Sequence, residues 1–546
     1  MESQRSFLLI GLALVSFLLW QQWQLDYGPQ PVEPASQVSP QDSSSTPSAQ
    51  SADVPRADDA SAPATATASS GQWISVKTDS LDIRIDTRGG DVISARLPQF
   101  PIEQGGDESF VLLSPEPGRY HIAQSGLIGK QGPDGSAEGR PVYQAENTAY
   151  EMQGDTLSVP LVWQSEQGLK VTKTFHFARG EHHLRVEYTV ENTGSEVAQL
   201  QQYAQLKQTT MGDEGSMFMP TYRGGAYSTE EDRYTKYSFD DIADKNLRTA
   251  TPGGWVGMLQ HYFVAAWIPP QDQTNTLYSR LLPGGYASIG FTGTPVTVQP
   301  GNTITLSSTL YTGAKDQESL AELANGLDLT VDYGFLWWLS QPLFSLLKFI
   351  HGLVGNWGLA IIIITIIVKG LMYPLTKAQY ESMAKLRALQ PKMKALKDRY
   401  GDDRQKMSQA MMEMYKKEKV NPMGGCFPLL LQMPIFLALY WVLLESVELR
   451  HAEFFLWITD LSVKDPYFVL PVLTGASMYL IQKLQPMTIQ DPMQQKIMQF
   501  MPVMMSIFFL WFPAGLVLYW LISNVITLIQ AKLIYASMEK RGLKTK

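Results

Sequence analysis

The sequence is poor in residues that carry covalent chemistry. A single cysteine, Cys426, stands among 546 residues. It excludes an intramolecular disulfide and leaves no cysteine-based zinc motif. Among the seven histidines, His121, His176, His182, His183 and His261 are scattered without metal-ligand spacing. There is no Walker loop, no GxSxG and no HExxH pattern. No cofactor or metal is therefore expected, and no enzyme activity. Charge is also scarce, at 18% of residues and a net -8. Lysine and arginine gather in a few C-terminal loops, which argues for membrane topology rather than sequence-specific nucleic-acid binding.

What the chain has is apolar length. Its mean hydropathy of -0.11 averages two unlike halves. Residues up to about 330 are mixed and polar; residues 335–536 are crowded with Leu, Ile, Phe, Trp and Met. Residues 1–27 contain the first apolar run, Phe7 to Leu25, with no small-residue cleavage site behind it. An uncleaved anchor is expected there rather than a removed signal. Residues 28–70 are rich in Pro, Ser and Ala and read as a flexible tether. Residues 71–332 carry short alternating runs such as LKVTKTFHF and HHLRVEYTV, broken at ENTG, LPGG and QPGN. That is the pattern of an antiparallel β-sandwich. Trp163, Trp255 and Trp267 suit its core better than a sugar site.

The remainder reads as a helical membrane bundle. Residues 333–354, with Trp337 and Trp338, suit an amphipathic helix at the membrane surface. Spans are expected at 355–377, 422–446, 467–484, 497–513 and 514–535. Between and beyond them lie a basic helical hairpin at 378–421, an outer loop at 447–466, a short loop at 485–496 and a basic tail at 536–546. The hairpin carries Lys385 and Arg387, and Gly401-Asp402-Asp403 makes its turn. Pro391 predicts an irregularity in its first arm. The positive-inside rule places hairpin, tail and both termini in the cytoplasm, and parity places the β-domain outside.

One cation, Lys369, lies inside the span at 355–377. A lysine there costs roughly 2.5–3.5 kcal/mol on insertion scales. Thr365, Lys369 and Tyr373 follow i, i+4, i+8 spacing and would share one face of a continuous helix. Either the ammonium snorkels to the interface, or it sits in a wet cavity and meets something negative. With Gln432 of the next span and Trp520, Asn524 and Thr527 of the last, these residues could line one hydrophilic cavity. Met433, Pro434 and Phe436, together with Met498, Met501, Met505 and Phe508, offer flexible apolar surface suited to varied partners.

The segments KGLMYPLTKAQYESMAKLRALQPK, EKVNPMGGCFPLLLQMPIFLALY, DPMQQKIMQFMP and LWFPAGLVLYWLISN resemble the YidC-type membrane protein insertases. The resemblance covers the whole chain and points to the Gram-negative bacterial form. It implies a five-helix core with a hydrophilic groove that opens to cytoplasm and lipid. Lys369 stands where that family typically carries arginine, and Trp520 where a tyrosine is expected. Thr365 and Trp520 would flank the groove; Met433, Phe436 and Phe508 would touch substrate helices. The β-domain would be a mutarotase-like supersandwich. Implied partners are nascent inner-membrane proteins, the Sec translocon with its accessory subunits, the ribosome and membrane lipids. The location would be the bacterial inner membrane. Two readings from other classes stand beside this one: a transporter or ion channel, which would show flux without substrate, and an anchored carbohydrate-active enzyme, which would turn over sugar.

Overall fold

The computed structural model describes residues 54–55, 72–136, 139–211, 221–400, 403–418, 427–484 and 492–540. The expected anchor, most of the tether, Cys426, Asp402 and the tail from 541 onward lie outside the described residues.

Strict alternation builds the β-domain. In the strand Leu169–Ala178, residues Leu169, Val171, Lys173, Phe175 and Phe177 are buried, with half-buried residues between them. This strand pairs antiparallel with His183–Asn192, Leu184 opposite Phe177. Among the described residues the strands form one 11-stranded and one 9-stranded sheet. Their apolar faces share one core that includes Leu206, Ile289, Phe175 and Trp267. Trp255 and Trp267 are wholly buried, with their indole N–H groups donating to Asn325 O and Gln205 O at 3.2 and 3.1 Å.

The alternation also drives one lysine into that core. Lys173 is 0% exposed. Its Nζ donates to the carbonyls of Gly89, Gly90 and Ser125 at 3.0, 2.7 and 3.0 Å. Gly89 and Gly90 take φ of +72° and +62°, a left-handed turn that glycine adopts without Cβ strain. The turn supplies two of the three acceptors the ammonium needs.

The tether is not wholly free. Pro55 is buried, and the Val54 carbonyl accepts from Arg280 Nη1 at 3.2 Å.

Two short helices, α1 (Phe239–Asp244) and α2 (Gln317–Leu323), belong to the β-domain. The amphipathic helix α3 (Trp337–Val354) buries Phe344, Leu347 and Ile350 and exposes Trp337 and Trp338. It ends on Gly355 at φ +66°, the left-handed stop glycine favours. Asn356 then caps α4 (Trp357–Leu371), its Oδ1 accepting from Leu359 N at 3.0 Å.

The expected continuous span at 355–377 is corrected here. The helix breaks at Met372, and α5 (Tyr373–Ala388) leaves at an angle of 59° to α4. Pro374 is the cause. It has no N–H for the Gly370 carbonyl, and its ring would clash there, so it fits only the first turn of a new helix. The hairpin continues as α6 (Gln390–Tyr400), with Pro391 in its first turn, and α7 (Arg404–Lys417), capped by Asp403. The helices that follow are α8 (Phe427–Glu445), α9 (Val469–Leu484), α10 (Pro492–Phe508) and α11 (Ala514–Lys540). Expected boundaries move: α9 starts at Val469 rather than 467, α10 runs Pro492–Phe508 rather than 497–513, and α11 runs past 535 to Lys540. No breaker interrupts Lys532 to Lys540, and good helix formers continue the helix beyond the apolar stretch.

Among the described residues only α11 is long and apolar enough to cross a bilayer in one piece. The α4–α5 pair does so as a bent unit, and Gln432–Glu445, Val469–Leu484 and Gln499–Trp511 are shorter apolar helices. The bundle core joins Leu347, Ile361, Ile364, Leu439, Phe509 and Leu516. It meets the β-domain through Arg450 Nη2 donating to Pro101 O at 2.6 Å, Gln104 Nε2 to Thr459 O at 2.7 Å, and His261 Nε2 with Leu444 O at 3.0 Å.

Candidate functional site

The bend in α4–α5 organises the site. Once the helix stops at Leu371, the carbonyls of its last turn lose their intrahelical donors. Met372 N–H satisfies Val368 O, and it also reaches Gly370 O. The Lys369 carbonyl instead accepts from Gln530 Nε2 of α11 at 3.0 Å. The Lys369 side chain turns to the same helix, its Nζ donating to Thr527 Oγ1 at 3.2 Å. Thr527 in turn donates to Ser523 O at 2.8 Å. Lys369 is 8% exposed, and no carboxylate among the described residues pairs with it. One hydroxyl is thin compensation for a buried ammonium, which has three donors to place.

Thr365, Lys369 and Gln432 lie together on a cavity of about 10 Å³ also lined by Val368, Ile435, Phe436 and Tyr519. That is room for about one water. Thr365 Oγ1 donates to Ile361 O at 2.5 Å, so its hydroxyl is spent on its own helix.

Three expected members stand elsewhere. Tyr373 belongs to α5 beyond the bend and is 37% exposed, because the i, i+8 spacing does not survive the break. Asn524 faces α9, its Nδ2 donating to Ser477 Oγ at 3.0 Å. Trp520 is an aromatic bridge: its ring meets Phe436 of α8 at 4.5 Å and Phe509 at 4.7 Å. It thereby ties together the two stretches that carry the expected substrate-contact residues.

Those contact residues divide. Met433 is 45% exposed. Pro434 is half-buried inside α8. Phe436, Met505 and Phe508 are partly buried against the bundle core. The outward face of α10 is a neighbouring stripe: Ile497, Phe500, Met504 and Ile507 are all exposed, as is Trp511 just beyond its end. In the hairpin Lys385 is exposed and Arg387 lies on α5.

Sequence reasoning missed Tyr519 and Gln530. Tyr519 was hidden by its neighbour Trp520. For Gln530 a signal existed: Pro374 releases a carbonyl near Lys369, and Gln530 follows Thr527 by three residues, on the same helical face. Among the described residues no group of His, Cys, Asp or Glu could hold a metal.

Two family models together match most of the chain: the YidC periplasmic domain over residues 73–346 and the 60Kd inner membrane protein over residues 349–541. A membrane protein insertase YidC of Pseudoalteromonas atlantica is 65% identical over 547 residues, covering all of both chains. That of Shewanella pealeana is 56% identical over the same length. A crystal structure of an active YidC insertase with its first transmembrane domain resolved matches with 19% identity and a TM-score of 0.36, over 86% of this chain and 93% of its own.

Proposed function

Because this chain belongs to the YidC family of membrane protein insertases, and is an inner-membrane protein of that kind, we propose that Lys369 is the point at which it receives the polar end of an incoming membrane protein. The observation that carries this reading is the ammonium at the bend, buried, held by one threonine hydroxyl and, among the described residues, facing no acid. An acidic or polar tail entering between α4, α8 and α11 would supply the missing acceptors. A charge-assisted hydrogen bond made there is worth roughly 1.5–3 kcal/mol.

The substrate's apolar helix then passes the Met433 and Phe436 surface and the outward stripe of α10 into lipid. Hydrophobic transfer drives its release, and the membrane potential assists the translocation of charge. No step consumes a nucleotide. Residues 71–332 lie on the outer side in this reading, with hairpin and termini in the cytoplasm. The basic hairpin, with Lys385 and Arg387, would meet the ribosome, the nascent chain or anionic lipid. The Sec translocon and its accessory subunits would be partners in joint insertion.

The test is site-specific crosslinking from Met433 and Phe508 to a stalled nascent membrane protein, with Lys369 intact or changed to alanine. Crosslinks that are strong in the native chain and lost in Lys369→Ala support capture before passage. Crosslinks unchanged by the substitution reduce Lys369 to a snorkelling residue.

A further inference from the structure

A second cavity lies far from Lys369, where the β-domain meets the bundle. It has a volume of about 440 Å³, within the range of small-molecule sites, roughly 300–1,000 Å³. Both parts of the chain build it. Tyr222, Tyr234 and Lys315 come from the β-domain side, and Trp441 and Glu445 from the end of α8. Gly334, just before α3, closes the rim.

Two of these side chains have unmet needs. Lys315 is 4% exposed and Glu445 8%. Among the described residues neither makes an ion pair or a side-chain hydrogen bond, with each other or with a third group. The neighbouring charges Lys236 and Asp332 are already paired. The two charges act on each other through space, but without a hydrogen-bonded partner each is expensive to hold in a buried setting. A guest carrying both signs, an anion for Lys315 and an ammonium for Glu445, would satisfy both at once. Tyr222, Tyr234 and Trp441 supply amphipathic walls for the short carbon stem between them.

The surroundings identify the source of such a guest. Phe335, Trp337 and Trp338 follow Gly334 directly and are 77%, 54% and 58% exposed. Exposed aromatics on an amphipathic helix mark the headgroup level of a bilayer. We propose that this junction cavity binds a phosphoethanolamine zwitterion, delivered as the headgroup of a phospholipid, and that the lipid seals the β-domain onto the membrane core.

The full chain, purified in detergent, would be examined by native mass spectrometry with phosphatidylethanolamine, phosphatidylcholine and phosphatidylglycerol of the same acyl chains. Phosphatidylcholine keeps the charge but has no N–H for Glu445; phosphatidylglycerol has no cation. Retention of phosphatidylethanolamine roughly tenfold above both is expected, the effect of about one charge-assisted hydrogen bond. Glu445→Gln should abolish that preference, and Lys315→Met should lower the retention of all three lipids, which share the phosphate. Equal retention of the three lipids by the native chain overturns the proposal without any variant, and so does a preference that survives Glu445→Gln or a retention that Lys315→Met leaves unchanged. Soluble glycerophosphoethanolamine separates the sources: its failure to displace the lipid supports the headgroup in its membrane setting, and displacement at matched concentration overturns the lipid source in favour of a free zwitterion.

Discussion

Lys369 Nζ lies 3.2 Å from Thr527 Oγ1, and this bond joins the bent span to the last helix of the bundle. The bond holds the ammonium between α4 and α11. Lys369→Ala is expected to slow insertion of substrates with acidic tails by roughly tenfold or more, the value of a lost charge-assisted bond. Substrates with neutral tails should change little. Lys369→Arg should retain activity, since it keeps the charge and adds a bidentate fork. Insertion rates into vesicles for paired acidic-tailed and neutral-tailed substrates decide it. Equal losses on both would refute electrostatic capture.

Gln530, one turn further along α11 than Thr527, holds the carbonyl of the same residue. Gln530→Leu should remove about 1 kcal/mol of stability and loosen the angle between α4 and α5. Spin labels at Ile363 and Lys385 would report a broader distance distribution in the variant, with the mean of the native chain still represented.

Trp520 contacts Phe436 and Phe509 at once. Truncation to alanine leaves both rings without their shared neighbour, at a cost on the order of 2–3 kcal/mol for a partly exposed tryptophan. Trp520→Tyr should lie near the native value. Thermal unfolding of the full chain in detergent, followed by circular dichroism, checks both.

Glu448, in the turn Val447–Leu449 outside the spans, is raised to about 7, chiefly by burial, with Asp316 and Glu318 adding and Lys348 opposing. The folded chain therefore binds this proton more tightly than the unfolded chain. Its contribution is full below the ordinary glutamate value of 4.5 and is lost as pH rises to about 7. His261, held down at about 4 by burial and by Lys315, acts oppositely: its contribution is full above 6.5 and is lost as pH falls towards 4. Glu448→Gln should gain stability relative to the native chain as pH rises from 4.5 to 7, and gain nothing further above. Melting temperatures of the two proteins across that window give the difference directly.

Lys173 donates to three carbonyls inside the β-sandwich. Lys173→Met fills much the same volume but takes a donor from the Gly90 carbonyl and leaves those of Gly89 and Ser125 to Arg140 Nη2, and should cost roughly 1–3 kcal/mol. Urea unfolding of the full chain, followed by the near-ultraviolet signal of buried Trp255 and Trp267, measures it.

The amino-acid sequence by itself determined the division of this chain. Alternating strands against long apolar runs separate the β-domain from the bundle, because periodicity and length depend only on local geometry and the solvent each half meets. It also singled out Lys369, since a charge in an apolar run is visible without any structure. Tertiary structure decided what Lys369 touches. The break at Met372 removed Tyr373 from its face, and a proline two residues on was the legible cause. Thr527 and Gln530 reach it only because α11 packs across α4, a long-range contact that no local pattern encodes. The same holds for Trp520, whose role as a bridge follows from two helices meeting it, and for Lys315 and Glu445. Those two stand 130 residues apart in the chain and share a cavity only once the β-domain is seated on the bundle.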